Sequence, residues 1–197
     1  MSAVRKGLNH YRDNLRARLR ACQYCLRVKD IILESFCIAD IMHISTVTLP
    51  EMKLAGLPFA GPFSVLETDM PEVWKTFLER ERELGETNGL RYGVNLQEKD
   101  GVHIECIAAE VADLNKLPPG MIGIRIPARR YAMLTHRGPM ARVQATYVTG
   151  FAAIEQLGMV QDTEGFRLER YDRRYTPTLH DGARPDNAYD ILIPLYG

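Results

Sequence analysis

The chain has 197 residues, of which 46% are hydrophobic and 25% charged, with 25 basic side chains against 25 acidic ones. That composition is ordinary for a globular protein, and the sequence has no run of eighteen or more apolar residues that could span a membrane. Charge is spread unevenly: residues 1–41 hold eight Lys/Arg against four Asp/Glu, and residues 42–197 hold seventeen against twenty-one. The larger, mildly acidic part does not suit nucleic acid, which is held mainly by cationic contacts to phosphate, but is compatible with a cationic ligand.

The N-terminus lacks the continuous apolar core of a signal peptide. Four cysteines (Cys22, Cys25, Cys37 and Cys106) without one point to free thiols in a reducing cytoplasm. Leu8, Tyr11, Leu15, Leu19, Cys22 and Leu26 recur at three- and four-residue steps, which predicts an amphipathic helix over 8–29. Arg12, Arg16, Arg18, Arg20 and Arg27 make its remaining surface basic. Such a helix can dock a partner or a second copy of the chain; an inert terminal extension has the same pattern. Residues 1–41 are too few for a complete helix-turn-helix domain with its own core, so no direct DNA binding is expected. Met42 is an alternative start, which would make residues 1–41 a gene-model artefact. Cys22 and Cys25 form a C-x-x-C, but it falls inside the helical pattern with no second pair at zinc-finger spacing, so neither metal nor cofactor is expected.

Residues 42–197 contain a duplication. Leu49–Phe63 aligns without gaps on Ile126–Met140, with Pro50/Pro127, Ala55/Ala132, Leu57/Leu134, Gly61/Gly138 and Pro62/Pro139 matching at a constant offset of 77. Each segment leads into a helical pattern ending at Leu-Gly, from Met70 to Leu84-Gly85 and from Met140 to Leu157-Gly158. Two strand-like runs follow each helix: Arg91–Gln97 and His103–Ala112, then Phe166–Asp172 and Ala188–Leu195, with Leu114–Gly120 as the joint. The expected fold class is therefore α+β: a strand–helix–strand–strand unit twice over, with pseudo-two-fold symmetry and antiparallel sheet.

In the run Phe166–Asp172, alternation puts Phe166 and Leu168 on one face and Glu169 with Tyr171 on the other. A carboxylate two residues from an aromatic ring is the pairing needed to hold an organic cation; a solvated edge strand would show the same residues. His136 precedes a Gly-Pro turn, where capping the turn competes with acting as a base. No Ser–His–Asp order, P-loop or dinucleotide fingerprint is present in the sequence.

Taken together, Pro127-Tyr131-Ala132, His136-Arg137-Gly138-Pro139, Phe166-x-x-Glu169-x-Tyr171-Asp172 and the terminal Ile191-Leu192-Ile193-Pro194-Leu195 resemble the GyrI-like, or AraC-type effector-binding, small-molecule domain. Tyr92-Gly93-Val94 and Glu105-Cys106-Ile107 fit the strand pair of its first repeat. The resemblance covers about Met42 to Gly197 and implies a ligand cavity between the repeats, with Glu169 pointing into it. It further implies binding or sensing of a lipophilic cation, drug or toxin. The family also includes hydrolases of cyclopropane-bearing toxins, in which reading Glu169 would act as general acid or base, and interaction modules such as gyrase inhibitors. A carboxylate in an apolar hollow is costly to keep charged, and a bound cation removes that penalty, with aromatic faces adding roughly 0.5–2 kcal/mol each. Tyr171, Tyr131, Tyr92, Phe59 and Trp74 are the candidate walls; Trp74, at helical spacing with Phe77 and Leu78, also fits plain core packing.

Overall fold

A computed structural model describes residues 43–196; the predicted helix over 8–29 and the Cys22/Cys25 pair lie outside the described residues. The elements follow in the order β1 (Ser45–Leu49), β2 (Met52–Pro62), α1 (Phe63–Arg80), β3 (Arg91–Lys99), β4 (Val102–Glu110) and then β5 (Ile122–Ile126), β6 (Arg129–Arg137), α2 (Val143–Gln156), β7 (Arg167–Tyr171), β8 (Ala188–Pro194). The strands form one antiparallel sheet ordered β1-β6-β8-β7-β3-β4-β2-β5. Exchanging each strand for its repeat mate turns this order into its own reverse, so the pseudo-dyad runs between β3 and β7.

The offset of 77 holds beyond the aligned segment: it carries Ser45 onto Ile122 and Met52 onto Arg129, the first residues of β1, β5, β2 and β6. The structure thus adds a short strand ahead of each predicted unit and pairs it across the duplication, β1 on β6 and β5 on β2. Helix α1 starts at Phe63, seven residues before the predicted Met70, and continues through Pro71. The proline forfeits one backbone bond, while Met70, Val73, Trp74, Phe77 and Leu78 keep an unbroken apolar stripe against the sheet. Gly85 (φ 82) and Gly158 (φ 69) both take a positive φ just past the two helical segments, although ψ −146 puts Gly85 outside the left-handed helical well that its Leu-Gly ending predicts.

Each face of the sheet has its own core. Trp74 and Phe77 of α1 and Ile154 of α2 pack on Ile107, Leu134, Tyr171, Tyr189, Ile191 and Ile193. On the opposite face Leu54, Tyr92, Val94, Cys106, Tyr131, Leu168 and Leu192 cluster with Ile124 and Ile126 of one edge strand and Val47 and Leu49 of the other. Residues from both edges share that core because the sheet curls strongly. Fully buried Leu54, Val94, Leu168 and Leu192 each contribute about 1.5–3 kcal/mol.

Register at the centre of the sheet is locked beside the candidate site. Asp190 accepts from Thr135 Oγ1 (2.8 Å), Arg170 Nη2 (2.8 Å) and Arg174 Nη2 (2.9 Å), tying β6, β7 and the loop after β7 to β8. These partners hold its carboxyl below the usual range against the opposing effect of burial, which is the largest single influence. Arg170 pairs with Asp190 in the ladder, one step from the Glu169–Ile191 pair.

Candidate functional site

Glu169 lies between Gly93 of β3 and Ile191 of β8, on the sheet face covered by the helices. Opposite it, Gly93 leaves space: a methyl there would sit 3.3 Å from Glu169 Oε2. Three phenols close on the carboxylate. Tyr147 of α2 donates to Oε1 at 2.6 Å, Tyr189 of β8 to the same oxygen at 3.1 Å, and Tyr171 of β7 to Oε2 at 2.5 Å. Burial, and then the negative charge of Glu169, push all three phenols well above their ordinary pKa, so they stay protonated and serve as donors. They supply hydrogen bonds in place of the water that the half-buried carboxylate has lost.

The rings form a continuous aromatic surface. Tyr171 stacks on Tyr189 (centroids 4.6 Å, planes 21° apart), and Trp74 meets Tyr171 edge-on at 4.9 Å. Tyr175 lies 6.2 Å from Tyr171 and 6.1 Å from Tyr189. Next to this surface is a second carboxylate. Glu105 of β4 is pushed up to about 7, mainly by burial and then by the charge of Glu169, with Arg167 and Asn95 opposing. The Arg167 guanidinium lies over the Tyr147 ring at 5.2 Å.

Of the residues named from sequence, Glu169, Tyr171 and Trp74 come together here. Phe59 shares the face and stands directly opposite Glu105, three strands from Glu169. Tyr92 and Tyr131 do not join them: both belong to the core on the other face. Alternation is the reason. Gly93 is the residue opposite Glu169, so its neighbour Tyr92 must point away, and Tyr131 shares the parity of Met133, facing Leu192. His136 is fully buried, with Nδ1 2.8 Å from Thr146 Oγ1, which pins β6 to α2 instead of merely capping a turn. Burial lowers its pKa.

Tyr147, Tyr189, Glu105 and Arg167 were not singled out from sequence. Glu105 carried a readable signal, an acidic residue in the buried run Cys106–Ala109 and its flank. Tyr189 did not, because a loop of 16 residues, 172–187, separates β7 from β8 and hides their register.

The chain is thus a duplicated α+β domain with one helix of each repeat over the same sheet face, where three phenols donate to one carboxylate. The GyrI-like small molecule binding domain matches residues 42–195, and the chain belongs to that family. The transcriptional regulator BrlR of Pseudomonas aeruginosa is 25% identical over 197 residues, covering 98% of this chain and 71% of BrlR. Two solved structures share the fold. SAV2435 bound to tetraphenylphosphonium has a TM-score of 0.59 at 17% identity, covering 79% of this chain and 95% of that one. EcmrR in a complex with DNA has a TM-score of 0.58 at 14% identity, covering 98% of this chain and 70% of that one. Among the described residues no helix is long and apolar enough to cross a membrane.

Proposed function

We propose that the chain is a cytoplasmic binding module for lipophilic organic cations, with Glu169 as the pairing charge and the Trp74, Tyr147, Tyr171 and Tyr189 rings as the apolar wall. The observation that carries this reading is the clasp of three phenols on one carboxylate, contributed by α2, β7 and β8. The clasp fixes a negative charge among aromatic faces, so a cation gains both charge pairing and cation–π attraction. A likeness in fold to a protein solved with tetraphenylphosphonium, itself a lipophilic cation, supports the ligand class. Catalysis by Glu169 is the weaker reading. Three of about four acceptor positions of the carboxylate are already used by phenols, which suits fixed pairing better than proton transfer.

Trp74, the sole tryptophan, lies against Tyr171 and reports binding directly. Titration with tetraphenylphosphonium is expected to change its fluorescence with micromolar affinity, about −8 kcal/mol. Glu169→Gln is expected to weaken that binding ten- to a hundredfold, about 1.4–2.7 kcal/mol, and to leave neutral triphenylphosphine oxide unaffected. Affinity no tighter than millimolar, or cation binding indifferent to the substitution, would sink the proposal. A cyclopropane-bearing ligand recovered chemically changed by the wild type but intact from Glu169→Gln would transfer the site to the hydrolase reading.

A further inference from the structure

Arg167 stands two residues before Glu169 on the same strand and face, with its guanidinium carbon 5.2 Å from the centre of the Tyr147 ring. That ring is the one whose hydroxyl is fixed on Glu169 Oε1. Arg167 thus covers an aromatic face beside the carboxylate, as an organic cation would. Across the sheet Arg167 pairs with Asn95 and Asn95 pairs with Glu105, so the guanidinium and the second carboxylate flank one residue in a cross-strand row. Among the described residues no ion pair within 4.0 Å ties Arg167 to Glu105 or Glu169. Its positive charge is nevertheless felt by both Glu105 and Tyr147.

We propose that Arg167 is a resident cation that a ligand must displace from Tyr147, and that Glu105 is the carboxylate that receives it. This inference rests on the cation-binding reading and deepens it. The ligand takes the Tyr147 face and Glu169, while the guanidinium swings along its own row toward Glu105. A neutral aromatic molecule gains nothing from the exchange. The arrangement therefore screens ligands by charge: a weakly held cation fails to move Arg167, and a polarisable aromatic cation competes successfully for the ring. Both acidic groups then face a positive partner.

The test is a titration of the folded chain with tetraphenylphosphonium and triphenylphosphine oxide, read by Trp74 fluorescence, in wild type, Arg167→Gln, Glu105→Gln and Glu169→Gln. Removing the competitor is expected to tighten tetraphenylphosphonium about five- to tenfold and to leave the neutral phosphine oxide within twofold. Glu105→Gln is expected to weaken the cation severalfold in wild type and by less in the Arg167→Gln background. Cation binding that depends on Glu169 but is unchanged or weaker in Arg167→Gln overturns this inference and leaves the binding reading standing. If neither wild type nor Arg167→Gln takes up the cation, the binding reading itself is lost, and this inference with it. Should Arg167→Gln fail to fold, Arg167→Lys serves instead. It keeps the charge but not the planar stack, and an affinity equal to wild type would overturn the displacement.

Discussion

Glu105→Gln is expected to make the protein more stable at pH 8 by about 2 kcal/mol while changing its stability little at pH 4. The carboxyl, with an ordinary value of 4.5, is pushed up to about 7 by burial and by Glu169. A group whose folded pKa is raised holds its proton more tightly in the folded state. Its contribution is complete below the unfolded value and is lost as pH rises through the folded one, so the loss falls between about pH 4.5 and 7. The full shift corresponds to roughly 3 kcal/mol, and partial solvent access reduces it to about 2. Glutamine cannot ionise, so the variant escapes this loss. Asp172 and Asp190 act in the opposite sense, since their partners hold them below 3.8 and their contributions disappear only in acid. Between pH 5 and 8 the buried His136, whose pKa burial lowers from 6.5, acts in the opposite sense in both proteins, so the gap between wild type and variant isolates Glu105. Urea unfolding followed through Trp74 at pH 4, 6 and 8 measures it, and a gap between wild type and variant that stays constant with pH would refute the assignment. The same linkage bears on binding. A cation near Glu105 favours its ionised form, so affinity is expected to rise as pH increases through 7.

What could be read in advance divides along the distance over which residues act. The duplication was visible because Pro50/Pro127 mark the same strand-to-strand turn, and Gly61-Pro62/Gly138-Pro139 the same strand-to-helix corner, in each copy. Glu169 and Tyr171 were joined by alternation within five residues of strand, and the structure keeps them 2.5 Å apart. The edge strands escaped because each is five residues long and finds its partner in the other repeat, so no local pattern announces the pairing. Tyr92, named as a candidate wall, belongs to the core on the other face for a related reason. Its direction follows from Gly93 standing opposite Glu169, and that pairing joins β3 of the first repeat to β7 of the second. Tyr147 needed still more, since the side of α2 that meets the sheet is set by tertiary packing and not by its spacing from Phe151. The catalogue of side chains was within reach of the sequence; which of them converge was decided by pairing across the pseudo-dyad.

Two glycines on that sheet are expected to separate folding from binding. Gly56 of β2 is hydrogen-bonded into both neighbours, opposite Ala108 of β4 and Ile122 of β5. A Cβ at this position would overlap the Ile107 carbonyl oxygen and stand 2.5 Å from Ala108 Cα. Both obstacles are backbone atoms in a ladder closed on both sides, so relief requires pulling β2 from β4. Gly56→Ala is therefore expected to cost about 3 kcal/mol or more, lowering Tm by roughly 6–12 °C for a domain of this size. The position equivalent by the 77-residue offset is Met133, so the demand arises from the close approach of the β4 backbone to Gly56 and not from the repeat itself. Gly93→Ala meets a different obstacle: the nearest atom is Glu169 Oε2 at 3.3 Å, the tip of a side chain that can yield by a few tenths of an ångström. Its Tm is expected to stay within about 3 °C of wild type, because nothing in the backbone must move. The displaced carboxylate would lengthen its bonds to the phenols, and tetraphenylphosphonium affinity is expected to fall about three- to tenfold. Parallel thermal melts and fluorescence titrations of the two variants decide the matter. A Gly93→Ala protein that binds like wild type would show that the seating of Glu169 against β3 has no part in recognition.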